Sequence, residues 1–323
     1  MKKHTSSNNV EIYIGGCTGS TVVSAERIFH LEARGITDAA TVISRPVSRA
    51  TFGTQTTSIA ILMGSTGVLI DNGTGVQQAS EWLKAKGAMQ VFILQSHYHL
   101  DHISGLPFNG FLMNKNTPVK AIYGPTLPGG FDFDYVMKYF FIAPFWPVWP
   151  KKFGIELPIH AFVPGETIPV MGGIKTMLLN HDGGSVAYRI PTPAGDIVIA
   201  TDNELSNSEI RERCASFFSG AALAYIDLQY RNDEYDNKAT IGPGETTMSR
   251  KGWGHSTPSM LVQTYELMVN APKRTLVGHH DPKRSDEDLF TFEGEMQRAL
   301  SHLGTTVTFA REHKVYELAQ DLE

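Results

Sequence analysis

The sequence is poor in cysteine. Cys17 and Cys214 are its two thiols; they form no C-x-x-C pair and no disulfide framework. A reduced, cytoplasmic setting is the expectation that follows. No apolar run reaches the roughly 18 residues of a membrane-spanning helix, so no membrane span is expected. The N-terminal Met1-Lys2-Lys3-His4-Thr5-Ser6 has none of the apolar character of a secretory signal. An excess of basic charge is missing as well. The formal net charge is −5, which gives no global footprint for nucleic acid. The sequence shows no repeat at solenoid spacing, no low-complexity tract and no linker. With 41% apolar and 19% charged residues over 323 positions, the chain reads as one soluble α/β domain spanning 1–323.

What the sequence does have is histidine concentrated in one place. Val91-Phe92-Ile93-Leu94 reads as a buried strand. It runs into Gln95-Ser96-His97-Tyr98-His99-Leu100-Asp101-His102. In extended chain, side chains at i and i+2 point to the same side. His97 and His99 can therefore grip one cation, while Asp101 and His102 face a second position as the chain turns. Imidazole nitrogen with carboxylate oxygen suits zinc, and also manganese or iron.

The same arrangement recurs: an apolar strand, then His or Asp at its end. Ile174–Leu179 leads to His181, Ile197–Ala200 to Asp202, Leu223–Ile226 to Asp227, and Thr275–Gly278 to His279-His280. Strand ends of this kind gather at one edge of a sheet, where ligands bind. Two nearby metals need a bridging group, and Asp202 is the best-placed carboxylate. Whether His279 or His280 faces the site depends on strand register.

Other segments complete the outline. Residues 11–15 read as a strand entering a glycine-rich tight turn at Gly15–Ser20, which could alternatively present N–H groups to an anion. Ile59–Met63 and Val68–Ile70 read as a hairpin, and Val76–Lys86 as a helix stopped by Gly87. Val119–Tyr123 and Thr306–Phe309 read as strands, and Met260–Met268 as a helix. Ser285 and Asp288 predict a capped helix reaching about Leu303. Residues 231–254 read as a long polar loop. Residues 131–153 are rich in aromatics and carry Pro144, Pro147 and Pro150. They suggest an irregular lid or interface segment rather than a core helix. Trp146 and Trp149 could cage a choline-type cation there. His4, His30, His160, His302 and His313 lack comparable context.

His97-x-His99-x-Asp101-His102, followed by His181, Asp202 and His279, resembles the metallo-β-lactamase superfamily in its dinuclear hydrolase form. The resemblance implies a four-layer αββα sandwich. It places His97, His99 and His181 on one metal and Asp101, His102 and His279 on the other, bridged by Asp202 and a hydroxide. Gly16–Ser20, Asp71-Asn72-Gly73-Thr74-Gly75 and Gly254-His255-Ser256-Thr257 are similar to motifs of the ribonuclease Z and phosphodiesterase branch. That branch implies a catalytic pair, here His255 and Asp227, with Asp101 also catalytic. Its tRNA-processing members carry a basic arm between the third His and the bridging Asp. Here two strands and a Pro/Gly turn fill that interval, which tells against tRNA.

The expected activity is hydrolysis of a small phosphodiester such as a cyclic nucleotide, with two divalent ions, zinc first and manganese or iron as alternatives. A homodimer is expected from the resemblance. Hydrolysis of a lactone, thioester or β-lactam is the competing activity; a flavodiiron oxidoreductase or a non-catalytic protein of the same fold are further alternatives. His99 stands where flavodiiron members usually carry Glu. Scaffold members usually lose ligands, and all seven are present here.

Overall fold

The computed structural model describes residues 9–22, 52–112, 114, 116–146, 156–241 and 248–319. Apolar and β-branched segments build the strands. In chain order these are β1 (Val10–Gly16), β2 (Ser58–Met63), β3 (Thr66–Ile70), β4 (Gln90–Leu94), β5 (Val119–Pro125) and β6 (Ile159–Phe162). Then follow β7 (Thr167–Ile168), β8 (Ile174–Leu179), β9 (Ser185–Ile190), β10 (Ile197–Ala200), β11 (Leu223–Asp227), β12 (Arg274–Gly278), β13 (Thr306–Phe309) and β14 (Val315–Leu318). They form two seven-stranded sheets, ordered β14-β1-β2-β3-β4-β5-β6 and β13-β12-β11-β10-β9-β8-β7. Both are mixed. In the first, β1–β3 pair antiparallel and β3–β6 parallel. In the second, β7–β10 pair antiparallel and β10–β13 parallel.

The sheets pack face to face. Ile12, Ile14, Val68 and Ile70 from one meet Val186, Tyr188, Ile197 and Ile199 from the other in a buried apolar layer. The outer face of the first sheet is covered by helices Val76–Ala85 and Phe133–Phe140. Helices Ser208–Phe218, Pro258–Glu266 and Asp286–Leu300 cover the second. The result is the expected four-layer αββα sandwich. A strand buried on both faces is a continuous apolar run rather than an alternating one. The stretch Ile197-Val198-Ile199-Ala200 is such a run, buried throughout.

Three local expectations need correction. Gly15 and Gly16 lie in β1, not in a turn. A Cβ on Gly16 would stand 2.0 Å from the Thr56 carbonyl oxygen, so glycine serves close backbone approach there. Within the aromatic segment, Phe133–Phe140 is a helix, with Asp132 accepting from the Tyr135 N–H at 2.8 Å. Its Phe133 and Met137 are buried; the prolines all lie beyond its end and do not break it. Trp149 and Phe153 lie outside the described residues. The polar stretch from 231 contains a one-turn helix, Asn232–Tyr235.

The carboxyl ends of β3, β4, β8, β10, β11 and β12 carry Asp71, the His97 loop, His181, Asp202, Asp227 and His279. At that edge the sheets are tied together. The Val186 N–H donates to the Ser96 carbonyl at 3.1 Å, and the Tyr188 hydroxyl to the Gln95 carbonyl.

Candidate metal centre

Beyond Leu94 the chain runs extended as far as His99, which has φ −65° and ψ 153°. It then winds into the turn Leu100–Ile103. The extended part sets His97 and His99 side by side, with ring centroids 4.7 Å apart. The turn redirects Asp101 and His102 inward; both are buried. His97, His99 and His181 each offer a nitrogen within 4.8 Å of the others, and Asp101, His102, Asp202 and His279 form a second group by the same measure. The His181 Nε2 lies 2.9 Å from the His99 Nδ1.

Asp202 touches both groups. Its Oδ2 is 3.7 Å from the Nε2 atoms of His97 and His181 and 3.1 Å from that of His279. Its Oδ1 is 3.2 Å from the His102 Nε2. The register alternative at the end of β12 falls to His279, whose Nε2 is 3.2 Å from Asp101 Oδ2. His280 turns away, donating to the Ala310 carbonyl at 3.0 Å and stacking on Phe309.

A second layer fixes these rings. Asp71, wholly buried, accepts from the His102 Nδ1 at 2.8 Å. It also accepts from the Ser96 N–H and hydroxyl at 2.7 and 2.8 Å and from the Gln95 amide at 3.0 Å. A carboxylate behind a ligating histidine fixes its tautomer and raises its basicity. The His181 Nδ1 donates to the Gly254 carbonyl at 3.1 Å, and the Ser20 N–H donates to Asp101 Oδ2 at 2.7 Å. Asp71, Asp202 and His279 have φ of 61°, 54° and 56°. Left-handed backbone is uncommon outside glycine and collects at functional sites. All three stand one or two positions past a strand.

The two groups differ in charge. Burial pushes His97 and His99 below the usual imidazole range and lowers His181 to about 4, so these rings are neutral. Burial acts against charge on His102 and His279 too, but there Asp202 and Asp101 outweigh it. His102 is raised, and His279 reaches about 10. Against the same burial, His102 and His279 hold Asp101 and Asp202 low.

These residues fit divalent cations. The donor set is five imidazoles and two carboxylates, and the Nε2 atom of His97 is buried with no hydrogen-bond partner. Leaving such an atom unsatisfied costs about 1–3 kcal/mol, and a cation among these groups would satisfy it.

His255 stands beside the cluster. Its Nδ1 donates to Asp227 Oδ2 at 2.6 Å, and Asp227 Oδ1 accepts from the Gln229 N–H at 2.9 Å. The His255 ring stacks on His279 at 4.8 Å and meets His181 edge-on at 5.2 Å. The structure thus brings all nine of the sequence-derived site residues to one edge. It adds Asp71, which the sequence reading placed in a motif but gave no role at the site. Asp71 carried a readable signal, since it ends an apolar strand as Asp202 and Asp227 do. Near the site, Phe133 stacks on Tyr98 at 6.2 Å, while Trp146 packs edge-on against Phe108 and Phe141.

A model of the Metallo-beta-lactamase superfamily matches residues 51–250. The chain belongs to this superfamily. Its members are mostly metal-dependent hydrolases. No curated protein matches the chain by sequence. Among solved structures, the metallo-β-lactamase fold protein YhfI of Bacillus subtilis has TM-score 0.60 and 14% identity, over 96% of this chain and 100% of that one. A diphosphatase of the PhnP family has TM-score 0.59 and 18% identity, over 97% and 100%. The short form of human tRNase Z has TM-score 0.57 and 17% identity, over 95% and 99%. At these identities the likeness is one of fold. Within the superfamily fold, no helix among the described residues is long and apolar enough to cross a membrane.

Proposed function

We propose that this metallo-β-lactamase superfamily member is a phosphodiesterase that uses two divalent cations to hydrolyse a small phosphodiester such as a cyclic nucleotide. The observation that carries the reading is the His255–Asp227 pair, hydrogen-bonded at 2.6 Å and stacked against the cluster. Hydrolysis of an ester with an activated leaving group has little need of a proton donor. Expulsion of an alkoxide from phosphorus does need one.

In this reading His97, His99 and His181 would hold one cation and Asp101, His102 and His279 the other, with Asp202 placed between the two groups. Zinc is the first metal to try, with manganese and iron as alternatives. Cations bound there lower the pKa of water towards neutrality and neutralise phosphoryl charge. Asp101 and Asp202 orient the attacking water. Asp227 fixes the His255 ring through Nδ1. That leaves Nε2 to deliver a proton to the departing oxygen.

The test is turnover of 3′,5′-cyclic AMP and bis(p-nitrophenyl) phosphate after loading with zinc or manganese, with a lactone and nitrocefin in parallel. Cleavage of 3′,5′-cyclic AMP that falls by about 10²-fold or more in His255→Ala is expected, the size of a lost general acid, with a smaller loss on bis(p-nitrophenyl) phosphate, whose leaving group needs no proton. Cleavage of the lactone or nitrocefin alone would overturn the reading.

A further inference from the structure

Glu204 lies two positions past Asp202 and is buried, 3% exposed. A buried carboxylate is costly unless its oxygens are satisfied. Its partners are neutral donors: the Tyr235 hydroxyl at 2.5 Å, the Gly252 N–H at 3.1 Å and the Gly254 N–H at 2.8 Å. The side chain therefore grips the loop that ends in His255. Gly254 is the key link. Its N–H goes to Glu204, its carbonyl accepts from the His181 Nδ1 at 3.1 Å, and the next residue is His255. The approach leaves no slack, since a Cβ on Gly254 would stand 2.0 Å from the His181 Nδ1.

The backbone of Glu204 reaches the other way. Its N–H donates to the Asn180 carbonyl at 2.8 Å, and its own carbonyl accepts from the Asn180 side-chain amide at 2.8 Å. Asn180 immediately precedes His181. The Ser256 hydroxyl laces the far side, donating to the Asn203 carbonyl at 2.5 Å and accepting from the Leu205 N–H at 3.2 Å. His181 and His255 are thus each next to a residue that Glu204 holds, and Asp202 is two positions from Glu204 itself.

We propose that Glu204 is a positioning residue that locks His181 and His255 into one unit, setting the aim of a metal ligand and of the proton donor together. The second half of this statement rests on the phosphodiesterase reading; the first half does not. A glutamine at 204 has one acceptor oxygen in place of two, and its NH₂ would face a backbone N–H. The Gly252–Gly254 loop then loses an anchor, and the His181 ring loses its fixed carbonyl.

The experiment compares wild type, Glu204→Gln and Glu204→Asp. Zinc retention is measured by competition with a chromogenic chelator. Diester turnover is measured with two esters that differ in leaving group, p-nitrophenyl and ethyl. Thermal melts report folding. Expected in both variants is a zinc affinity lower by about 10-fold, the low end for loss of an outer partner of a ligating histidine, because Glu204 acts on His181 through Gly254. A second expectation is a rate loss larger for the ethyl ester than for the p-nitrophenyl ester. If Glu204→Gln does not fold, Glu204→Asp decides, because it keeps the charge and shortens only the reach. Folded variants with wild-type zinc affinity and equal losses on both esters would overturn the proposal and leave Glu204 a structural residue. An enzyme that cleaves no diester would remove the phosphodiesterase reading, and zinc retention would still judge Glu204.

Discussion

Asp71 acts through His102 rather than on any substrate. It gathers four donors, and one of them is the imidazole N–H behind a candidate ligand. Replacing it by asparagine keeps the volume but removes the charge and places an NH₂ among donors. Asp71→Asn is expected to weaken zinc retention about 10- to 100-fold with the fold kept, as measured by chelator competition beside a circular dichroism spectrum. A second prediction at this scale concerns protons. Burial opposes charge on His279, but Asp202 and Asp101 raise it to about 10, so it is protonated at neutral pH. A cation that binds its Nε2 must displace that proton. Cation affinity should therefore rise with pH towards 10, and binding near pH 7 should release protons. His181, lowered to about 4 by burial, is already neutral there and adds nothing to the release. Calorimetric titration with zinc in buffers of different ionisation enthalpy measures the count. A binding heat independent of buffer would contradict the prediction.

Among the elements, two glycines make opposite predictions. Gly16 sits in β1 with the Thr56 backbone against it; a Cβ would meet the Thr56 oxygen at 2.0 Å and Gln55 backbone atoms at 2.8 and 2.9 Å. Backbone cannot step aside as a side chain can, so Gly16→Ala should destabilise by about 1–3 kcal/mol or more. Gly294 lies inside helix Asp286–Leu300, and the nearest atom to its Cβ position is the end of Arg298 at 3.4 Å. There Gly294→Ala should stabilise by about 0.5–1 kcal/mol through helix propensity. Urea unfolding of both variants checks the two signs. The strands that carry the site were legible in the sequence because strands buried on two faces are short apolar runs ending at Gly, His or Asp. Helix Ser208–Phe218 was not. Glu209, Arg211, Glu212 and Arg213 dilute its apolar stripe, and it buries Cys214, Ala215 and Phe218 late in its length. The two-residue strand β7 and the half-exposed β6 carry too little pattern to read. Asp132 was a legible cap for Phe133–Phe140, but the prolines downstream drew the reading towards irregular chain. The roles of Glu204 and Gly254 were illegible because they depend on loops far apart in sequence meeting in space.

At the scale of the whole molecule, the cluster is a joint between two sheets. His97, His99, Asp101 and His102 follow β4 of the first sheet; His181, Asp202 and His279 follow β8, β10 and β12 of the second. Each of the two residue groups draws from both sides. A cation held by either group therefore binds only when the sheets are docked, and it stabilises the folded chain by mass action. At a free concentration 100 times the dissociation constant, that amounts to about 2.7 kcal/mol per site. For a chain of 323 residues, an unfolding entropy of about 2.1 cal/mol/K per residue means that each kcal/mol moves the melting midpoint by roughly 1.5 °C. Stripping zinc with a chelator should therefore lower the midpoint by about 4 °C for each site emptied, and zinc restored in excess should return it. His97→Ala and His279→Ala remove a ligand from different groups. Each should lose part of the zinc-dependent shift, and the double variant should lose nearly all of it. A midpoint that ignores both chelator and zinc, in a protein that still melts cooperatively, would mean that the edge joining the sheets holds no cation.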